Sequence, residues 1–194
     1  MLYLLLIALL YGCLAQFYMK TWGVSPEEHQ AKMPGDQYFT HISSTRGIRI
    51  NASKEAVWSV AIQLGADRKG FFSYELIERL LGYIGGQRVD YALDMPIGRE
   101  IPGSLEPHKS FIKYSWTVLA SQAYHYFVLS NWGTFLIQEV DASTSKLIVR
   151  TNTNRVNFID RIRDIAIFPF HFIMERKMLI GIKELAESRF AEMA

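Results

Sequence analysis

Apolar residues run almost unbroken through the first part of the chain and then fall into short periodic stretches. Leu2 to Met19 is nearly all apolar, with Gln16 the main interruption and no charge before Lys20. A span of about 18 residues is just long enough to cross a bilayer as a helix. A helix apolar on every side belongs in lipid or in a deep core. Three readings follow. The first is an uncleaved transmembrane anchor over residues 1–20. The second is a cleaved signal peptide, since Cys13-Leu14-Ala15 offers a small-residue site, although no basic residue precedes the apolar run. Leu10-Tyr11-Gly12-Cys13 also loosely resembles a lipobox, with the bulky Tyr11 a poor fit. The third is a buried helix of the domain itself. The anchor is the reading carried forward. Lys20 and Lys32 follow the segment, so the positive-inside rule places a single-pass protein with its domain on the cytoplasmic side.

Residues 21–42 read as a connector. Ser25-Pro26-Glu27-Glu28 is a helix start, with Ser25 as cap, Pro26 at the first helical position and Glu28 completing a capping box. Met33-Pro34-Gly35-Asp36 ends that helix in a turn. Residues 43–194 read as the domain. Ser43 to Ile50 alternates as a half-buried strand, with Ile48 and Ile50 flanking Arg49. Ser53 then starts a helix whose Val57, Val60, Ala61 and Leu64 share one face, and Gly65 is placed to end it. A second helix is expected from Ser73 as N-cap. Phe72 and Ile77 are at hydrophobic-staple spacing, and Leu76, Ile77, Leu80 and Leu81 form the buried stripe.

Residues 83–110 are rich in Gly and Pro and predict loops with one short strand. Phe111 to Leu119, Ala123 to Ser130, Thr134 to Val140 and Lys146 to Asn154 are strand candidates. Asp141 to Ser145 is a turn, and Asn131-Trp132-Gly133 separates the middle pair, which implies an antiparallel meander. The last forty or so residues return to helical spacing, with Met178, Leu179, Ile182 and Leu185 as the apolar stripe. Pro169 is expected to kink or begin that helix. The order predicts an α+β fold in which a sheet wraps a long C-terminal helix.

Composition narrows the function classes. A net charge of +2 gives no reason to expect a nucleic-acid partner. The lone Cys13 excludes an internal disulfide and paired-cysteine metal or redox sites. The five histidines are scattered, with no zinc spacing and no His-Glu-x-x-His run. There is no Gly-x-Ser-x-Gly elbow, P-loop or dinucleotide fingerprint, so no catalytic residue, metal or cofactor is expected from motifs.

The element order, with Ala56-Val57-Trp58, Gln63-Leu64-Gly65 and Gly70-Phe71-Phe72-Ser73-Tyr74, resembles the START-related helix-grip superfamily. That group includes polyketide cyclases/dehydrases and lipid-transfer domains. Trp22-Gly23, Pro34-Gly35-Asp36 and the helix from Phe172 to Lys183 are similar to an uncharacterised bacterial branch described as SRPBCC proteins. The likeness runs from about Trp22 to Glu187 and carries no catalytic motif. Ser53-Lys54-Glu55 and Arg99 depart from the pattern, Arg99 changing charge near an expected pocket rim.

The resemblance implies a cavity between the sheet and the C-terminal helix, lined mostly by apolar groups. The implied lining is Phe71 and Tyr74 from the glycine-bounded turn and Trp116, Tyr126 and Phe135 from the strands. Phe170, Met174 and Met178 would come from the helix. Plain core packing competes at each of these positions. Arg150 pairs with an anionic ligand group if it points inward, because a buried arginine demands a partner, and is a solvated sheet residue if it points outward. The expected partners are a hydrophobic small molecule or lipid, and the membrane through the N-terminal helix. A cyclase-type enzyme is the alternative and would draw on His125, Tyr126, Glu139, Arg150 and His171. A protein-interaction scaffold without ligand is the other. Ile165 to Met174, preceded by Arg155, Arg161 and Arg163, reads either as a membrane-touching surface or as the buried start of a lid helix.

Overall fold

The structure is a computed structural model that describes residues 2–80, 82–83, 94–106, 115–153 and 158–193. The chain runs through α1 (Leu2–Lys20), α2 (Pro26–Gln30), a 3-10 turn (Asp36–Tyr38), β1 (His41–Ile50), α3 (Lys54–Ala61) and α4 (Glu75–Leu80). It continues through β2 (Glu100–Pro102), β3 (Ser115–Gln122), β4 (Tyr126–Leu129), β5 (Gly133–Asp141), β6 (Thr144–Thr153) and α5 (Phe158–Met193). The strands form one sheet in the order β1-β6-β5-β4-β3-β2. Every neighbouring pair is antiparallel, so β3 to β6 form the expected meander and β1 pairs with β6 at its end. The fold is α+β, with a six-stranded antiparallel sheet against a long C-terminal helix.

Strand alternation divides the sheet into two faces. Phe127, Leu129, Phe135, Ile137, Leu147 and Val149 pack on the inner face with Met178, Leu179 and Ile182 of α5 and with Val57, Val60 and Ala61 of α3. The outer face is also covered. Leu136 and Ile148 pack there with Met33, and Val24 and Tyr126 lean on them. The connector is therefore a strap across the back of the sheet as well as a link. It begins with the predicted capping box: Glu28 N–H donates to Ser25 Oγ (3.2 Å), and Ser25 N–H donates to a Glu28 carboxylate oxygen (2.7 Å). The strap turns at Gly35, whose φ of +94° and contact with Val128 and Thr134 leave no room for a side chain. Thr134 Oγ1 donates to the Pro34 carbonyl oxygen (2.5 Å), and Asp36 accepts from Met33 N–H (2.9 Å).

Four expectations change. The helix after β1 ends at Ala61, not Gly65, because Gly65 and Gly70 exchange backbone hydrogen bonds (3.1 and 2.9 Å) and close the turn early. β3 runs on to Gln122, so its hairpin turns at residues 123–125. The expected stripe of α4 is not buried: Leu76 and Leu80 are 72% and 69% exposed, and Leu81 lies outside the described residues. The cause is how the preceding turn is held. Ser73, expected as N-cap, donates its hydroxyl to the Met174 carbonyl oxygen of α5 (3.0 Å). Phe72 presses so close to α5 that a Cβ on Gly181 would stand 2.6 Å from the Phe72 carbonyl oxygen. Finally, Pro169 does not begin the last helix but lies inside α5, which spans 36 residues.

Among the described residues no helix is long and apolar enough to cross a membrane. The expected anchor falls largely on side chains outside the described set, those of residues 2 and 4–10. What the structure does show is a 19-residue helix with Tyr3, Tyr11, Leu14, Phe17 and Tyr18 exposed.

Candidate ligand site at the inner end of the sheet

Four of the nine implied lining residues enter the inner core. Phe71, Trp116 and Phe135 belong to one aromatic cluster, joined by Trp132, and Met178 packs in the same core. Trp132 is the hinge of the cluster, with ring centroids 5.0 Å from Trp116, 5.3 Å from Phe135 and 6.2 Å from Phe71. Phe135 also stacks on Phe127 at 4.6 Å and 11°. The turn Asn131-Trp132-Gly133 was readable only as a separator of strands, so Trp132 escaped sequence reasoning.

The other five do not join them. Tyr126 lies on the outer face with Leu136 and Ile148, because it is one residue out of phase with Phe127. Tyr74 and Phe170 are exposed (41% and 40%). Met174 is half-buried and receives Ser73 at its carbonyl oxygen and its sulfur. Arg150 is 1% exposed but points to the outer face, so neither of its expected surroundings is found. Nε donates to Thr45 Oγ1 (3.1 Å), and Nη1 donates to Asp36 Oδ2 and the Ala31 carbonyl oxygen (both 2.8 Å). Nη2 donates to the His29 and Glu28 carbonyl oxygens (2.8 and 3.3 Å). A guanidinium has five N–H donors, and these five bonds use them all. Arg150 clasps the strap and has nothing left for a ligand. Burial, then the charges of Arg150 and Lys20, push the His29 imidazole below its ordinary pKa.

A different arginine enters the grip. Arg46 of β1 is fully buried and forms an ion pair with Glu175 of α5, itself 3% exposed. Thr151 Oγ1 donates to the same carboxylate (3.3 Å). The guanidinium carbon lies 5.2 Å from the ring centroids of both Phe168 and Phe172, a cation–π sandwich. Arg46 Nε donates to the Met19 carbonyl oxygen at the end of α1 (2.6 Å), and Tyr18 meets Phe172 edge-on at 6.0 Å. One side chain thus ties α1, β1 and α5 together. A signal for Arg46 was present in the sequence: it shares the period-2 face of Ile48 and Ile50. Glu175 stands one helical turn from Phe172 and Leu179, on the buried side of α5.

The groups an acid–base mechanism would need are dispersed. His125 is exposed in the β3–β4 turn, Glu139 is half-exposed and paired with Lys54, and Tyr126 and Arg150 face outward. His171 alone reaches the inner ion pair, with Nδ1 3.4 Å from Glu175 Oε2. Arg99, expected near a pocket rim, pairs with Asp67 (2.6 Å). Among the described residues no group of three His, Cys, Asp or Glu could hold a metal ion.

No family model matches the chain, and no curated protein matches it. Solved structures similar to it include three at 10–12% identity. Protein SSP2350 from Staphylococcus saprophyticus is 12% identical with a TM-score of 0.45, over 72% of this chain and 87% of that one. The Polyketide_cyc-like protein Cgl2372 from Corynebacterium glutamicum is 10% identical with a TM-score of 0.42, over 76% and 93%. Protein Ms6760 from Mycobacterium smegmatis is 12% identical with a TM-score of 0.41, over 80% and 99%. The fold itself stands on the strand order and the α5 packing above.

Proposed function

We propose that this chain binds a hydrophobic small molecule or lipid between the inner face of the sheet and α5, and that α1 tethers it to a membrane. One observation carries the reading: the end of α1 is bonded to Arg46, the residue that joins β1 to α5 at the inner end of the sheet. A helix held in a bilayer would bring that end of the grip to the membrane surface. Tethering raises the effective concentration of the domain beside membrane-borne ligand. The exposed side chains of Leu14, Phe17 and Tyr18 support the tether, and Lys20 at its end favours a cytoplasmic domain.

The full chain is expected to stay with the membrane pellet after an alkaline carbonate wash. In detergent, a brominated alkane is expected to quench Trp116 and Trp132 of the aromatic cluster. Release into the supernatant would remove the tether from the reading, and undiminished tryptophan emission would remove the ligand. The exposure of Leu76, Leu80, Ile167, Phe170 and Ile173 favours a second reading, a scaffold for a protein partner. That reading predicts no quenching. The cyclase-type alternative requires convergent acid and base groups, which the described residues hold apart.

A further inference from the structure

Three polar groups around the inner end of the grip are buried and have no hydrogen-bond partner among the described residues: Arg46 Nη2, Ser44 Oγ and Trp132 Nε1. Ser44 and Arg46 are 1% and 0% exposed, so water outside the protein does not serve them. A buried polar group left unpaired is costly and calls for a partner in the functioning molecule.

Sheet register places Ser44 and Arg46 on neighbouring rows of the inner face, with Trp132 beside the far end of the Ser44 row. Ser44 pairs with Thr151, and Thr151 pairs with Gly133, so these residues form one row across β1, β6 and β5. Arg46, Val149 and Phe135 form the next row of the same face. Adjacent strands lie about 4.8 Å apart, so Ser44 and Gly133 are about 10 Å apart. Trp132 precedes Gly133 and turns its ring onto Phe135. The Thr151 hydroxyl and the Glu175 carboxylate stand over the middle of the row.

We propose that this row holds the polar end of the ligand, and that this end is an uncharged oxygen: an alcohol, ketone or ester. The inference rests on the binding function proposed above. Charge decides the class. Arg46 is already matched by Glu175, so a carboxylate or phosphate entering the row would stand beside the Glu175 carboxylate with the Arg46 charge already offset. A cationic head would meet Arg46. A neutral oxygen accepts from the unpartnered donor nearest to it, Arg46 Nη2, Trp132 Nε1 or a Ser44 hydroxyl able to rotate toward it, and brings no charge to the Glu175 carboxylate. The aromatic wall of Trp132, Trp116 and Phe71 then faces the apolar body.

The test is native mass spectrometry of the full chain in detergent, titrated separately with dodecanol, dodecane and dodecanoate at pH 8. At that pH an ordinary histidine is neutral and the acid is ionised. Dodecanol is expected to bind about tenfold tighter than dodecane, the worth of one or two net hydrogen bonds, and dodecanoate no tighter than dodecane. Ser44→Ala and Trp132→Phe each remove a donor that no protein group uses, so neither takes away an internal hydrogen bond. The alcohol-to-alkane ratio is expected to drop about threefold in at least one of the two and to stay above one in the double variant, where Arg46 Nη2 remains. Equal binding of alcohol and alkane, or tighter binding of dodecanoate, would overturn the proposal and leave apolar binding intact. An unchanged ratio in both variants would also overturn it and would mean that water fills the row. No binding of any of the three would overturn the binding function itself.

Discussion

Glu175→Leu is expected to destabilise the protein by about 3–5 kcal/mol, the cost of leaving one partner of a buried ion pair without the other. For a domain of this size that is a fall of about 10 °C in Tm. Arg46 cannot turn to solvent, because Phe168 and Phe172 enclose the guanidinium and Nε is bonded to Met19. The double variant Arg46→Met, Glu175→Leu removes both charges and keeps apolar volume at both sites. It is expected to recover most of the loss, because replacing an entire buried pair by apolar residues is often neutral. Thermal or urea denaturation of the four proteins measures the coupling. A double variant as unstable as the single one would mean that the arginine acts through packing and its bond to α1, with the pair secondary.

Arg150→Met is expected to act at the opposite face. It removes four hydrogen bonds to the strap and one to Thr45 of β1, and it leaves the carbonyl oxygens of Ala31 and His29 without the Arg150 donor and Asp36 without its ion-pair partner. The strap can lift and hydrate these groups, so the loss stays at about 2–4 kcal/mol rather than the sum of five bonds. Its signature is local. Lys32 is exposed within the strap, and trypsin is expected to cut after it much faster in the variant while the rest of the domain resists. Cleavage at the wild-type rate would show that Met33 and the Pro34–Thr134 bond hold the strap without Arg150.

These two arginines show what the sequence can and cannot disclose. Both lie on strands whose alternation is plain, and the meander from β3 to β6 was legible from that alternation and its turns. The capping box at Ser25 was legible because it is local: four consecutive residues contain both hydrogen bonds. The fate of an arginine is not local. Arg150 meets groups 105–122 residues away, and Arg46 meets a glutamate 129 residues away. A period-2 pattern says that a side chain shares a face with Ile148 or Ile48. It does not say whether that face carries a strap or a helix. An outward Arg150 was read as solvated, whereas the strap covers it.

The apolar stripe of α4 misled for a related reason. Leu76 and Leu80 have helical spacing, but six residues of helix are oriented by the turn before them. That turn is fixed by contacts with Met174 and Gly181, about 100 residues further on. Glu78 shows the outcome. It faces inward, accepts from Ser73 N–H (3.0 Å), and burial raises its carboxyl pKa. For the candidate site, the aromatic half was partly visible as Phe71, Trp116 and Phe135. The ion pair was missed because Arg46 and Glu175 meet only once β1 and α5 are side by side.

The central claim is that the inner face of this sheet and α5 hold an apolar molecule. Native mass spectrometry of the full chain, solubilised from membranes without prior exposure to added ligand, tests it most directly. The account predicts a protein mass raised by a molecule that dissociates on activation as a neutral species with one polar end. Protein at its bare mass, which also fails to take up dodecanol when it is offered, would contradict it.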